Sequence, residues 1–251
     1  MPQIDKVAFF GDSYCFDTIT KKHHKGLDHA WYPPTPTYLD IFAEKHNLEI
    51  VHRGTPAHGP TWMLHEFREW LKSKRQEEIN QTHFVFLWSD QSRTMMRNTG
   101  DFNKLTGNQH EDKKHPNERS LPGPDTPYIN DPERFDPRVK QAIELWWLYL
   151  RSPNEFYRML DSCRDAWKYK MQQYNIVSYQ QYHCFYHTAD HENNFLKFEW
   201  EGEEHNCLQQ FAQTHDDYVM GEGDDHYNHF SPKGQYNMAS ILSRRFEEIH
   251  G

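Results

Sequence analysis

The segment Phe84-Val85-Phe86-Leu87-Trp88 constrains this chain most, because five bulky apolar residues follow one another with no polar residue between them. A strand with one face in water alternates apolar and polar side chains. An unbroken apolar run bounded by polar residues instead reads as a strand covered on both faces, as in parallel sheets whose crossover helices lie on either side. The reading therefore assigns a strand to His83–Trp88. It assigns others to Ile4–Phe10, which stops abruptly at Gly11, to Leu48–Val51 and to Ile176–Phe185.

Helical signals fall between these runs. Thr35-Pro36 is read as an N-cap followed by proline in the first turn, with Leu39, Phe42 and Ala43 on one face, and Thr61 as the cap of a helix carrying Leu64, Phe67 and Leu71. Asp136-Pro137 and Ser152-Pro153 open two further helices, with Glu155 completing a capping box after Ser152. Ile143, Trp146, Trp147 and Leu150 mark the first; Phe156, Met159, Leu160 and Cys163 mark the second. Ser231-Pro232 starts a closing helix whose Tyr236, Met238, Ala239, Ile241 and Leu242 are expected against the sheet. Strands alternating with helices imply right-handed crossovers and an α/β, doubly wound parallel sheet flanked by helices on both faces. Ligands of such sheets bind beyond the carboxyl ends of the strands.

One domain spanning 1–251 suits the length, with a polar insertion at about 94–136 read as a lid-like segment or a partner-facing loop. The stretch from His187 to Glu222 is read as irregular and acidic, with a short helix around Cys207 to Phe211. Only 36% of residues are hydrophobic, but 15% are aromatic, so a core is built from few, large side chains. A net charge of −9 offers no footprint for a phosphate backbone, which argues against nucleic acid as a partner. No apolar run reaches the roughly 20 residues a membrane span needs, and no charged leader precedes the first strand. The expectation is a soluble, cytoplasmic protein. Cys15, Cys163, Cys184 and Cys207 are too dispersed for a disulfide framework, and the 18 histidines show no metal-ligand spacing, so no metal or other cofactor is expected.

Three strand ends carry Gly11-Asp12-Ser13, Gly54 and Ser89-Asp90, and all should meet on one rim of the sheet. Asp224-Asp225-His226-Tyr227-Asn228-His229 precedes the closing helix and is placed to reach that rim. Together these segments resemble the four blocks of the SGNH (GDSL-like) hydrolase superfamily, spread from residue 11 to residue 234. The family combines a G-D-S signature after strand one, a glycine after strand two, an asparagine after strand three, and an acid and histidine before the last helix. The resemblance implies a flavodoxin-like sheet of SGNH type, Ser13 as nucleophile and His229 as general base. It also implies an oxyanion hole, either with the Ser89 hydroxyl donating in the third block or resting on the backbone N–H groups of Ser13 and Gly54, with Asp90 free for another task.

Two departures from the pattern matter. The family's acid lies three residues before the histidine, where this chain has His226; one extra loop residue makes Asp225 the acid, with Asp224 the alternative. The third block reads Trp88-Ser89-Asp90-Gln91 and lacks the asparagine, and an ionised Asp90 accepts hydrogen bonds but cannot donate one to an oxyanion. Asp90 and Arg93 are left as substrate-binding residues, with an ion pair between them as the rival reading. Trp146 and Trp147 face different ways on a helix, so at least one is expected in the core and the other is left as a sugar platform.

The implied reaction is hydrolysis of a small-molecule or glycan ester, or removal of an acetyl group, by a Ser-His-Asp triad. The rival is a noncatalytic SGNH-fold binding or assembly protein that uses its aromatic surface and the 94–136 insertion as an interface to a protein partner. Small divergent proteins of this type resemble some encoded by bacteriophages, in which case the host cytoplasm is the expected location.

Overall fold

The computed structural model describes residues 3–12, 15, 36–54, 59–89, 95–97, 118–120, 153–184, 197–214, 230 and 232–251, with positions 141, 145 and 149 between them. Its centre is a parallel sheet of β1 (Lys6–Phe10), β2 (Glu49–His52), β3 (Thr82–Trp88) and β6 (Tyr179–His183), ordered β2-β1-β3-β6. Crossover helices are α1 (Tyr38–Lys45), α2 (Pro60–Ser73), the short α3 (Gln76–Asn80) and α4 (Pro153–Gln173). The last helix is α6 (Pro232–His250). The architecture is α/β, a four-stranded parallel sheet flanked by helices, with the strand order of flavodoxin-like folds.

Side chains alternate across β1 and so feed two cores. Val7 and Phe9 point into a cluster with Leu39 and Phe42 of α1 and Met238 and Leu242 of α6; Ala8 and Phe10 point into one with Phe67 of α2 and Leu160 and Trp167 of α4. All seven residues of β3 are buried, as the unbroken apolar run requires. The second core is a lattice of rings. Phe86 stacks on Phe10 at 5.6 Å and takes Phe67 and Trp167 edge-on at 5.0 and 5.2 Å. Large rings thereby compensate for the low apolar fraction.

Several local expectations are corrected. Thr37, not Thr35, caps α1: its hydroxyl accepts from the Asp40 N–H while the Asp40 carboxylate accepts from the Thr37 N–H, a closed capping box. Gly59, not Thr61, is the N-cap of α2, because Pro60 already has the φ of a first helical residue and loses nothing by lacking an N–H. Tyr236 is 53% exposed rather than packed on the sheet. The inward face of α6 is set by Met238, Ala239, Ile241 and Leu242, and Tyr236 falls off that stripe.

Two ribbons also stand where little regular structure was expected. Within 94–136, β4 (Met95–Arg97) pairs antiparallel with β5 (Glu118–Ser120). Within the acidic stretch, β7 (Phe198–Trp200) pairs with β8 (Glu203–His205) ahead of α5 (Leu208–Thr214). The β7–β8 loop is Glu201-Gly202 at φ 52° and 85°, the two positive values that a tight hairpin turn needs to match strand twist. No described helix is long and apolar enough to cross a membrane.

Candidate functional site

The strand order reverses between β1 and β3, and the helices that follow them lie on opposite faces of the sheet, which puts beyond these two carboxyl ends the crevice where open α/β sheets bind ligands. Gly11 and Asp12 follow β1 at this point. Asp12 is fully buried, and its carboxylate is held from two other strands: Ser89 Oγ, just past β3, donates to Oδ2 at 2.8 Å, and Cys184 Sγ, just past β6, donates to Oδ1 at 4.0 Å. The Asp12 carbonyl accepts from the Cys15 N–H at 2.9 Å.

The fourth strand end joins through its glycine. A Cβ on Gly54 would fall on the Gly11 carbonyl oxygen and lie 2.7 Å from Cys15 Cβ; one on Gly11 would lie 2.7 Å from Cys15 Sγ and 2.7 Å from the Leu87 carbonyl oxygen. Real Cβ atoms do not approach so closely, so both positions require glycine for the chains to touch. The ends of β1, β2, β3 and β6 thus converge on the Gly11-Asp12 turn.

The last helix starts near the same rim. Its final residue, His250, contacts His83 near the start of β3 and Ser178 just before β6, so α6 runs antiparallel to the strands and begins at their carboxyl end. Phe230, two residues before α6, packs edge-on against Tyr38, the first residue of α1, at 5.8 Å. Gln235 clamps the junction, donating to the Phe230 carbonyl at 3.2 Å and accepting from the Tyr38 N–H at 2.8 Å. Asp12 directly precedes Ser13 and Phe230 directly follows His229, whereas Ser13, Asp90, Arg93, Asp224, Asp225 and His229 themselves lie outside the described residues.

Ser89 requires a correction. It was one of the alternative oxyanion donors, but it is 1% exposed and its single proton is directed at Asp12. Arg53, just past β2, forms an ion pair with Asp40 and ties the end of β2 to the start of α1. Burial, reinforced by the Asp12 and Glu66 carboxylates, pushes the Cys15 thiol well above its ordinary range, so Cys15 is not poised as a thiolate nucleophile beside Ser13. All four cysteines are buried.

Two residues not anticipated from sequence lie beside the rim. His183 ends β6 with its pKa pushed down to about 3, by burial first and then by Arg164. Arg164 of α4 is 3% exposed and brings Nη2 to 3.3 Å from His183 Nε2 and its guanidinium carbon to 6.0 Å from the Trp88 ring. A guanidinium can only donate, so His183 Nε2 accepts and the neutral ring carries its proton on Nδ1. Local sequence gives no sign of this pair, since the two residues lie in different elements.

Among the described residues, no group of three or more His, Cys, Asp or Glu side chains is arranged to hold a metal ion. No protein-family model matches the chain, and no curated protein matches it either.

Proposed function

We propose that the chain is a serine hydrolase of SGNH type that cleaves a small-molecule or glycan ester, with Ser13 as nucleophile, His229 as general base and Asp225 as the acid that orients it. The observation supporting this most is the Gly11-Asp12 turn. It lies at the switch point, its carboxylate is tied to the ends of β3 and β6, and the next residue is the serine. A nucleophile gains from a mount that cannot relax, because a misplacement of about 1 Å costs on the order of a hundredfold in rate.

The chemistry follows from the proton inventory. The Ser13 hydroxyl becomes nucleophilic only as His229 takes its proton, and Asp225 holds the imidazole in the tautomer that can accept. Attack on the acyl carbon forms the Ser13–acyl bond and a tetrahedral oxyanion. Collapse expels the alcohol, which leaves with the proton from His229, and water repeats the cycle to release the acid. With the Ser89 proton directed at Asp12, oxyanion stabilisation falls to the backbone N–H groups of Ser13 and Gly54. The lack of a side-chain donor costs on the order of 3 kcal/mol of transition-state stabilisation, which makes this a slow enzyme. Asp90 and Arg93 remain the substrate-binding residues of this reading.

The engagement of Ser89 also favours a second reading, a binding or assembly protein on the same fold. A fluorophosphonate probe separates the two. The hydrolase predicts one label per chain, mapped to Ser13, lost in Ser13→Ala and slowed in His229→Ala; folded wild-type protein that takes no label would establish the binding protein instead.

A further inference from the structure

At the amino edge of the sheet, remote from the candidate site, β3, β6 and α6 are joined by a polar relay that is buried at His83 and partly exposed at His250. Ser178 Oγ lies 2.8 Å from His83 Nδ1 and 2.9 Å from His250 Nε2, and the two ring nitrogens are 3.3 Å apart. Gln180 sets the direction of the whole chain. Its Nε2 donates to the Leu242 carbonyl at 3.4 Å and to His83 Nε2 at 2.9 Å, while its Oε1 accepts from the Tyr182 hydroxyl at 2.6 Å. His83 Nε2 is therefore an acceptor, and the proton of the neutral ring sits on Nδ1, aimed at Ser178. The proton of Ser178 then goes to His250 Nε2, which must be bare. From Gln180 through His83 and Ser178 to His250 Nε2, each proton of the relay then meets an acceptor, with both imidazoles neutral.

We propose that this relay is a proton-sensitive latch: the last turn of α6 is held on the sheet while His250 Nε2 is unprotonated and is released when that nitrogen takes a proton. A proton there would face the His83 Nδ1 proton across 3.3 Å. It would also force Ser178 to accept twice, with its own proton displaced into a site where Ser178 is 7% exposed. A buried donor without an acceptor costs more than the bond it replaces.

The groups around the latch do not offset a positive charge. On α1, His46 and Lys45 face it; Lys45 lies 3.0 Å and His46 3.9 Å from Glu247, so that carboxylate is already shared. On α6 itself, Arg245 and Glu248 pair at 2.7 Å, and the Phe246 ring lies between His46, His83 and His250 at 4.6, 4.9 and 4.4 Å. From β6 the neutral Gln180 amide meets His83, and the Tyr182 hydroxyl donates to Gln180. Burial lowers the pKa of His250; burial and then the neighbouring His250 and His46 lower that of His83; burial and then Lys45 lower that of His46. Each folded value lies below the ordinary imidazole value of 6.5, so the latch is at full strength above that pH and weakens as pH falls below it.

The test is amide hydrogen exchange across residues 243–250 of the intact chain, corrected for intrinsic rates, at about pH 7.5 and about pH 5.5. Wild type should lose about fivefold protection in this turn on acidification, with α2 unchanged. His250→Gln should abolish that pH dependence and His46→Phe should retain it. Imidazole nitrogen spectra at the higher pH should show His83 protonated on Nδ1 and His250 bare on Nε2. Undiminished pH dependence in His250→Gln, its loss in His46→Phe, or a His250 protonated on Nε2 at the higher pH would each overturn the proposal.

Discussion

At the carboxyl edge of the sheet the buried polar centre is a carboxylate, Asp12, held by side chains from two other strands and hemmed in by two glycines; at the amino edge it is an imidazole, His83, set in a relay of neutral partners. The first arrangement fixes backbone: Gly11, Gly54 and Cys15 meet so closely that neither glycine could carry a side chain without displacing a neighbour. The second fixes side chains: each proton has one destination, and the outcome is a helix end fastened to a sheet. The same sheet thus spends its buried polar groups on fixing a backbone turn at one end and on a fastening at the other.

The largest expected effect couples the two ends. Phe86 lies in β3 between His83 near its start and Ser89 just past its end, and anchors that strand in the ring lattice, so Phe86→Ala should cost about 3–5 kcal/mol in denaturant unfolding and loosen both edges together. Hydrogen exchange that rises at one edge alone would show that the edges are not joined through this core. Gly54→Ala comes next. It must displace the Gly11 carbonyl or Cys15, and it should cost about 1–3 kcal/mol and slow probe labelling sharply while the last turn of α6 keeps its protection.

His83→Leu is the mirror experiment. Removing the ring takes away one acceptor of the Gln180 amide and the donor that Ser178 Oγ accepts from, at a cost of about 1–3 kcal/mol, and should leave labelling intact. The smallest substitution effect is Thr37→Ala, which opens the capping box of α1 for about 1 kcal/mol. Acid should separate the edges as well. His83, His183 and His250 are all depressed in the folded chain, so their neutral forms favour folding fully above pH 6.5, and stability read from denaturant midpoints should fall as pH drops from there towards about 3, where His183 takes its proton. His83→Leu should flatten the part of that decline that belongs to the amino edge.

The sequence revealed what is carried by local pattern. The run from Phe84 to Trp88 required a doubly covered strand, the one-sided stripes of Leu39, Phe42 and Ala43 and of Met238, Ala239 and Leu242 marked two helix faces, and Pro232 marked the start of the last helix. Helix starts were harder, because Thr35, Thr37, Gly59 and Thr61 all suit a cap and only the reciprocal bond with Asp40 or the demands of Pro60 choose among them. Strands of three residues, as in β4, β5, β7 and β8, are too short for a period of two to stand out. Of the site, the meeting of strand ends at Gly11, Gly54 and Ser89 was legible. The direction of the Ser89 proton was not, since it depends on where Asp12 lies in space. His83, Ser178 and His250 are far apart along the chain and share no motif, so only folding joins them.

The account depends most on Ser13 and His229 working as one unit, and the most direct measurement is ester hydrolysis by Ser13→Ala, His229→Ala and the double variant, compared with wild type on the same acyl ester. If the two act together, each single variant should lose nearly all the activity that the double variant loses, and all three should fall to a common residual rate. Losses that multiply in the double variant, or single variants that hydrolyse as fast as wild type, would contradict it.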